Sequence, residues 1–331
     1  MLLLTGARAY AQIKGFYDGS SYYIEEIARN PPAKKSTTLS FNFGPSNYLG
    51  DLGGNTGIGK AFLYDNNFKK RTFFYGFSLS HLRREAVGLR LAYTSGRIAA
   101  SDHDAAYTDF NDNAYTRYKR NLDFRTNISE LSLMLEVYPL KVLPYYYAAH
   151  HSPLQPYLLG GIGRFKFNPQ GSYFDDIADD YVWVDLHPLR LEGQGMTEYP
   201  NRKPYALSQF NMPFGFGLRY ETGLKTSLSF EFLGRHLFTD YLDDVSTSYI
   251  DPALFDQYLG PEDAALAKLL HNKSGQIDPD DPYRTGQQRG NPGGRDFYYS
   301  FNIRLGIRIS KMKAPKFLKK QYKFDDSEIC E

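Results

Sequence analysis

Apolar and polar residues alternate along much of this chain. Between positions 297 and 310, Phe297, Tyr299, Phe301, Ile303, Leu305, Ile307 and Ile309 share one face. Tyr298, Ser300, Asn302, Arg304, Gly306, Arg308 and Ser310 share the other. A period of two predicts a β-strand. A strand of roughly ten residues tilted about 45° crosses a bilayer, and this one is longer.

The pattern recurs upstream. Leu39, Phe41 and Phe43 alternate with Ser40, Asn42 and Gly44. Phe73, Tyr75, Phe77 and Leu79 alternate with Phe74, Gly76, Ser78 and Ser80, and Val87, Leu89, Leu91 and Tyr93 with Gly88, Arg90, Ala92 and Thr94. Leu131, Leu133, Leu135 and Val137 oppose Glu130, Ser132, Met134 and Glu136. Tyr157, Leu159, Phe165 and Phe167 share a face opposite Arg164 and Lys166. Phe214, Phe216, Leu218 and Tyr220 oppose Gly215, Gly217, Arg219 and Glu221, while Leu228, Phe230 and Phe232 oppose Ser229, Glu231 and Leu233. With the last strand this makes about eight, the smallest usual even number for a membrane barrel.

Connection lengths sort by parity. Long connections are expected near residues 49–70, 99–125, 168–203 and 246–295, and short ones at 82–86 and 222–225, with 139–153 intermediate. Outer-membrane barrels have short periplasmic turns and longer outer loops. The expectation is an all-β, about eight-stranded antiparallel transmembrane outer-membrane β-barrel with long extracellular loops and both termini in the periplasm. Arg90, Arg164, Lys166, Arg219, Arg304 and Arg308 then join Glu130, Glu136, Glu221 and Glu231 inside. The interior of a barrel this small is just wide enough for side chains to fill. Buried charges need partners, which predicts a packed charge ladder without an open pore.

Composition narrows the classes. Aromatic residues are 16% of the 331 residues, with Tyr 28, Phe 24 and Trp 1. Net charge is only +2, which argues against nucleic acid as a partner. One cysteine, Cys330, excludes an intramolecular disulfide framework. Mean hydropathy is −0.50, and no apolar run is long enough for a spanning helix.

Residues 1–11 read as a signal peptide short of its basic start, with Ala9-Tyr10-Ala11 as the small-x-small cleavage site. Residues 12–36, with Asn30-Pro31-Pro32, read as an N-terminal periplasmic segment or partial plug. Residues 37–310 form the barrel, and 311–331 a basic periplasmic tail. In the last long loop, Pro261-Glu262-Asp263 predicts a helix start, with Leu266, Leu269 and Leu270 as its apolar stripe. The tail mixes lysine with aromatics, and Lys316, Phe317, Lys319, Lys320, Tyr322 and Lys323 are a candidate docking site for a periplasmic partner or anionic headgroups.

Candidate chemistry is sparse. Tyr241-Leu242-Asp243-Asp244-Val245-Ser246 reads as a rim turn, with Tyr241 at the interface, in preference to a calcium site. Asp175-Asp176 with Asp179-Asp180, and Asp278 with Asp280-Asp281, are weak calcium candidates. Tyr48-Leu49-Gly50-Asp51-Leu52 places an aromatic at the membrane boundary before a turn that uses Gly50. His236 near Asp240 is the one histidine–acid pair worth naming, and no serine or second acid stands at a diagnostic spacing. His150-His151 belongs to a periplasmic connection. No catalytic residue, cofactor, metal or small-molecule substrate is predicted.

Several local sequences occur in an ordered set: Asn47-Tyr48-Leu49-Gly50-Asp51-Leu52, the run from Gly88 to Ile98, Arg120-Asn121-Leu122-Asp123-Phe124-Arg125 leading to Glu130-Leu131-Ser132-Leu133, Phe238-Thr239-Asp240-Tyr241-Leu242-Asp243-Asp244-Val245-Ser246, Arg289-Gly290-Asn291-Pro292, and Asp296-Phe297-Tyr298. Together they resemble the PorG-like outer-membrane barrel family of type IX secretion systems and their paralogues. The resemblance runs over most of residues 37–310. It implies a small barrel in outer-membrane lipid that contacts periplasmic or lipoprotein partner proteins. The chain departs from that family in its longer leading segment and its lysine-rich tail. The resulting expectation is a non-enzymatic anchoring or docking component of an envelope complex. The alternatives are a surface-binding or adhesion barrel using Tyr- and Asp-rich loops, and, behind that, a barrel enzyme.

Overall fold

The computed structural model describes residues 35–53, 72–105, 113–142, 153–223 and 225–310. The expected leader, nearly all of the segment 12–36, the basic tail, His150 and His151 lie outside the described residues.

Alternation along the chain becomes ten strands: β1 (Lys35–Leu49), β2 (Thr72–Arg83), β3 (Val87–Ser101), β4 (Asp123–Val137), β5 (Leu154–Lys166), β6 (Gln170–Asp175), β7 (Asp180–Asp185), β8 (Ser208–Glu221), β9 (Thr226–Leu237) and β10 (Phe297–Arg308). The sheet order is β3-β2-β1-β10-β9-β8-β5-β4-β6-β7, and β3 also pairs with β4. That extra pairing closes eight strands into an antiparallel barrel. β6 and β7 remain as a side hairpin, tied to β4 where Gln170 pairs with Arg125. First and last strands meet in register, with Phe41 opposite Leu305 and Asn42 opposite Arg304.

Closure satisfies the backbone of every barrel strand, which is what a lipid environment demands. Side chains then divide by parity. Phe77 is 58% exposed, Ile162 65% and Ile307 58%, in one belt with Leu39, Leu91, Leu133, Phe216 and Phe230. Outward apolar side chains run from Phe301 to Ile309 along and just past β10, a rise of about 27 Å along the strand. Tilted about 40°, that spans about 21 Å, near the apolar band of roughly 25 Å typical of such barrels. Among the described residues no helix is long and apolar enough to cross a membrane; the strands cross it.

One strand departs from the sequence expectation. The parity of β5 is as read, but its faces are exchanged: Tyr157, Leu159, Phe165 and Phe167 are buried inside, while Arg164 and Lys166 point outward. The physical reason lies in the partners. Leu158 and Ile162 fill the outer face of β5, and the Tyr157 hydroxyl is needed inside, where it donates to Glu231.

Three of the long connections carry further elements among the described residues. Residues 102–122 carry α1 (Asn113–Arg120), 167–207 carry the β6–β7 hairpin, and 238–296 carry α3 (Ala253–Tyr258) and α4 (Pro261–His271). At the opposite end, α2 (Pro139–Val142) lies after β4. The helix α4 starts where proline predicts it, but its buried side is Ala264, Ala267, Leu270 and His271, and Leu269 is 40% exposed. Leu186, Leu191, Met196, Ile250, Phe255 and Leu270 give these connections a core of their own. Below it, Tyr48, Phe74, Ile98, Phe124, Ile128, Phe165 and Tyr298 plug the upper barrel.

Since Leu133 faces outward in the belt, Leu133→Arg should lower stability by about 2–4 kcal/mol. Urea unfolding in lipid vesicles measures this; a loss below about 0.5 kcal/mol would mean that the belt does not meet hydrocarbon.

Candidate functional site

The barrel interior holds charges in pairs, arranged in tiers. At the centre, Arg90 donates from Nη2 to Glu136 Oε1 at 2.9 Å and from Nη1 to Glu231 Oε2 at 2.5 Å. Glu136 also accepts from Arg304 at 3.2 Å and from the Tyr138 hydroxyl at 2.8 Å. Arg304 reaches on to Ser80 at 2.7 Å. The strand parity that sends leucine outward sends these side chains inward, and strands distant in sequence supply opposite signs. One tier above, Glu130 Oε2 accepts from Tyr298 at 2.6 Å, Asn211 at 2.9 Å and Arg235 at 3.2 Å. The cavity left beside Arg90 and Glu231 measures about 10 Å³, room for about one water.

The short-turn mouth is closed the same way. Arg219 faces Glu221 at 2.8 Å, and Glu85 takes Arg308 at 2.8 Å and Lys141 at 3.0 Å. Of the expected ladder, Arg90, Glu130, Glu136, Arg219, Glu221, Glu231, Arg304 and Arg308 thus face the interior; Arg164 does not. Tyr298 faces inward as its alternation implies, whereas Arg235, Glu85, Lys141, Tyr138 and Tyr157 are not marked as interior partners by the sequence. Arg235 sits one step past the run assigned to its strand, and Glu85 lies in a turn, where alternation carries no signal.

The rim motifs converge above the upper plug. Tyr48 is buried, so it is not the membrane-boundary aromatic expected. Its hydroxyl lies 2.7 Å from Asp243 Oδ2 and 2.5 Å from Asp296 Oδ1. The same carboxylates accept backbone N–H groups, Asp243 from Val245 and Leu52 and Asp296 from Leu242. Gly50 is required by this approach, since a Cβ there would collide with the Tyr48 hydroxyl and the Asp296 carboxylate. Asp51 accepts from Asn291 N at 2.8 Å. Asp244 accepts from Tyr205 at 2.7 Å, and Tyr205 stacks on Tyr241 with ring centroids 4.9 Å apart. Tyr241 therefore packs within the cap and does not mark the interface.

Four further buried charges bind the cap together. Asp102 accepts from Arg120 Nε at 2.7 Å and from Gly53 and Leu122 N–H groups. Glu192 accepts from Ser246 N, Thr247 N and Arg289 Nη1, each at 2.9 Å. Arg289 also donates to Asp244 O at 2.7 Å. Arg120, Arg289 and Asp296 lay within the recurring local sequences; Asp102 and Glu192 had no motif to mark them.

Electrostatics in the cap follow from burial. Asp243 and Asp296 share one tyrosine hydroxyl, and desolvation followed by their mutual repulsion holds Asp243 well above the usual carboxylate range. Asp296 is raised too, chiefly by burial. Burial pushes Asp244 up to about 7 against the opposing pull of Arg289. His271, buried and facing Arg289, is lowered to about 3 and its Nε2 accepts from Ile250 N.

The metal and histidine candidates that the structure describes are engaged in other contacts. Among the described residues no cluster of three or more His, Cys, Asp or Glu could hold a metal ion. Asp278 and Asp281 flank Lys119 at 3.0 and 2.9 Å, so that calcium candidate holds an ammonium group. Asp175 accepts from Ile177 N within the hairpin turn. His236 packs edge-on against Phe238.

Glu136→Gln leaves Arg90 and Arg304 without their shared counter-charge and should cost about 3–5 kcal/mol, again read by urea unfolding. For Asp244, the raised folded pKa means that the folded cap binds more protons than the open chain. Its stabilisation is full below the ordinary value of 3.8 and lost as pH rises through about 7. Amide exchange over residues 240–246, corrected for intrinsic rate, should therefore quicken from pH 5 to pH 8, and Asp244→Asn should weaken that dependence, leaving the part carried by Asp240, which burial also raises to about 7. A wild-type profile unchanged across the window would contradict the assignment.

The geometry is that of an eight-stranded outer-membrane β-barrel. Solved structures of similar fold include the attachment invasion locus protein Ail of Yersinia pestis, 8% identical with a TM-score of 0.35, covering 83% of this chain and 99% of that one. A major outer membrane protein of Thermus thermophilus is 10% identical, TM-score 0.35, covering 83% and 100%. OprG of Pseudomonas aeruginosa is 10% identical, TM-score 0.31, covering 84% and 99%. No curated protein sequence matches the chain. A family model, Domain of unknown function (DUF6089), matches residues 33–253, well over half of the chain, from the first strand into the extracellular cap, and the protein belongs to that family.

Proposed function

We propose that this barrel is a non-enzymatic anchor that presents a fixed surface for docking in a multi-protein envelope assembly. The observation that carries the reading is the filled interior: charge pairs at the mouth and centre, and an apolar plug beneath a tied cap. A lumen so occupied passes neither solute nor chain, which leaves the outside of the molecule as its working part. Its resemblance to PorG-like barrels makes type IX secretion the assembly we favour, with periplasmic or lipoprotein partners meeting the lysine-rich tail.

A second reading, surface binding, is favoured by the β6–β7 hairpin. Its tip exposes Phe174, Tyr181 and Ile177, the last 97% exposed. β7 has one strand neighbour among the described residues. An open strand edge beside exposed aromatics suits an added strand from a partner.

A photo-crosslinking residue in place of Ile177, with a lipid-facing control at Ile307, tests which side works. Deletion of residues 314–331 tests the other face. Loss of co-purifying periplasmic proteins on deletion is the expected result for the docking reading. Capture of an extracellular protein from position 177, with co-purification intact after the deletion, would favour the second reading. The intact barrel should give no steady conductance in a planar bilayer; an open-channel current would overturn both.

A further inference from the structure

The outward turn of Arg164 and Lys166 leaves them with no role in the lumen, and they are not alone. Arg97 on β3 and Arg125 on β4 also face outward on the same flank. Arg97 lies opposite Asn127, and Arg125 opposite Ala99, which makes the two arginines diagonal neighbours about 7–8 Å apart at Cα. Arg164 lies opposite Leu131 and Phe210, and Lys166 opposite Ser129 and Ser208. Tyr93 pairs with that same Leu131. The four cations therefore begin at the aromatic upper border of the apolar belt and extend just beyond it. That level is where a bilayer presents its headgroups.

Like charges gathered this way repel unless an anion lies among them. Among the described residues none of the four has a carboxylate in ion-pair range. Asp185, on the same flank, accepts from Gln170 instead. The arginines hold neutral partners through Nε: Arg97 to Asn127 at 3.1 Å, Arg125 to Gln170 at 2.9 Å and Arg164 to Ser208 at 3.0 Å. Two are further set by rings, Arg125 over Trp183 at 4.3 Å and Arg164 over Phe210 at 5.9 Å. Such anchoring orients the guanidinium plane and leaves its Nη donors for an outside acceptor. A fork of that kind matches phosphate oxygens.

We propose that this β3–β4–β5 flank is a binding site for the phosphate monoester groups of an outer-leaflet glycolipid. The apolar belt below would take the acyl chains, and the four cations the phosphates. The site is independent of any protein partner.

The test is native mass spectrometry of the full-length protein released from detergent micelles, with phosphorylated lipid A as the probe. Its dephosphorylated form and inorganic phosphate are the other arms. The variant R97Q/R125Q/R164Q/K166Q should lower the lipid-bound fraction at least about tenfold. R97K/R125K/R164K keeps the charge but loses the forks and should fall between wild type and the neutral variant, and dephosphorylated lipid A should bind wild type no better than the neutral variant binds the phosphorylated form. Heat-modifiable gel migration checks that each variant is folded; if the fourfold variant is not, R164Q/K166Q is read in its place. Equal occupancy of wild type and neutral variant overturns the proposal, as does equal binding of the dephosphorylated lipid. Displacement of the glycolipid by millimolar inorganic phosphate would assign the cations to a soluble anion and overturn the lipid as ligand.

Discussion

Everything in this barrel is arranged around the cost of placing Arg90 in a closed cylinder. A guanidinium group out of water must be met by carboxylates of good geometry, or the fold loses several kcal/mol. Glu136 and Glu231 meet it from β4 and β9, and Arg304 and the tyrosines take the remaining oxygens. Arg90 and Glu136 stand on the paired strands β3 and β4, but Glu231 and Arg304 come from β9 and β10 on the far side, so the Arg90–Glu231 and Arg304–Glu136 contacts brace the cylinder across its width. The backbone ladder cannot do that, because it links each strand only to the next.

The cap solves a related problem by another route. Long connections above a barrel carry many backbone groups that need partners. Here buried carboxylates supply them: Asp102, Glu192, Asp243 and Asp296 each accept backbone N–H groups from segments distant in sequence. An apolar layer lies on each side, the barrel plug beneath and the helix-lined core above. The described parts of these connections are consequently tied to one another and to the top of the barrel.

Most of the barrel was legible because period-two alternation is a direct image of lipid on one side and lumen on the other. The rule failed at β5, where apolar residues occur on both faces: Tyr157 and Phe165 face inward while Leu158 and Ile162 face out. Apolarity alone cannot say which way such a strand looks; Glu231 decides it by requiring the Tyr157 hydroxyl. The β6–β7 hairpin was hidden in a long connection because its strands are short and their outer edges polar. Tyr48, Asp51, Asp243 and Asp244 were marked as rim motifs, but their meeting point depends on Asp102, Glu192 and Asp296, brought together by closure and not by spacing.

Glu85 sits in a tight turn after β2, at a positive φ of 55°, and holds Lys141 from beyond β4 and Arg308 at the end of β10. Arg308 also stands opposite Thr38 at the seam between first and last strands. This three-way contact has no counterpart in any shorter run of the sheet. Its Arg308 arm exists only where β10 lies beside β1, so the pairing that completes the cylinder also latches its base.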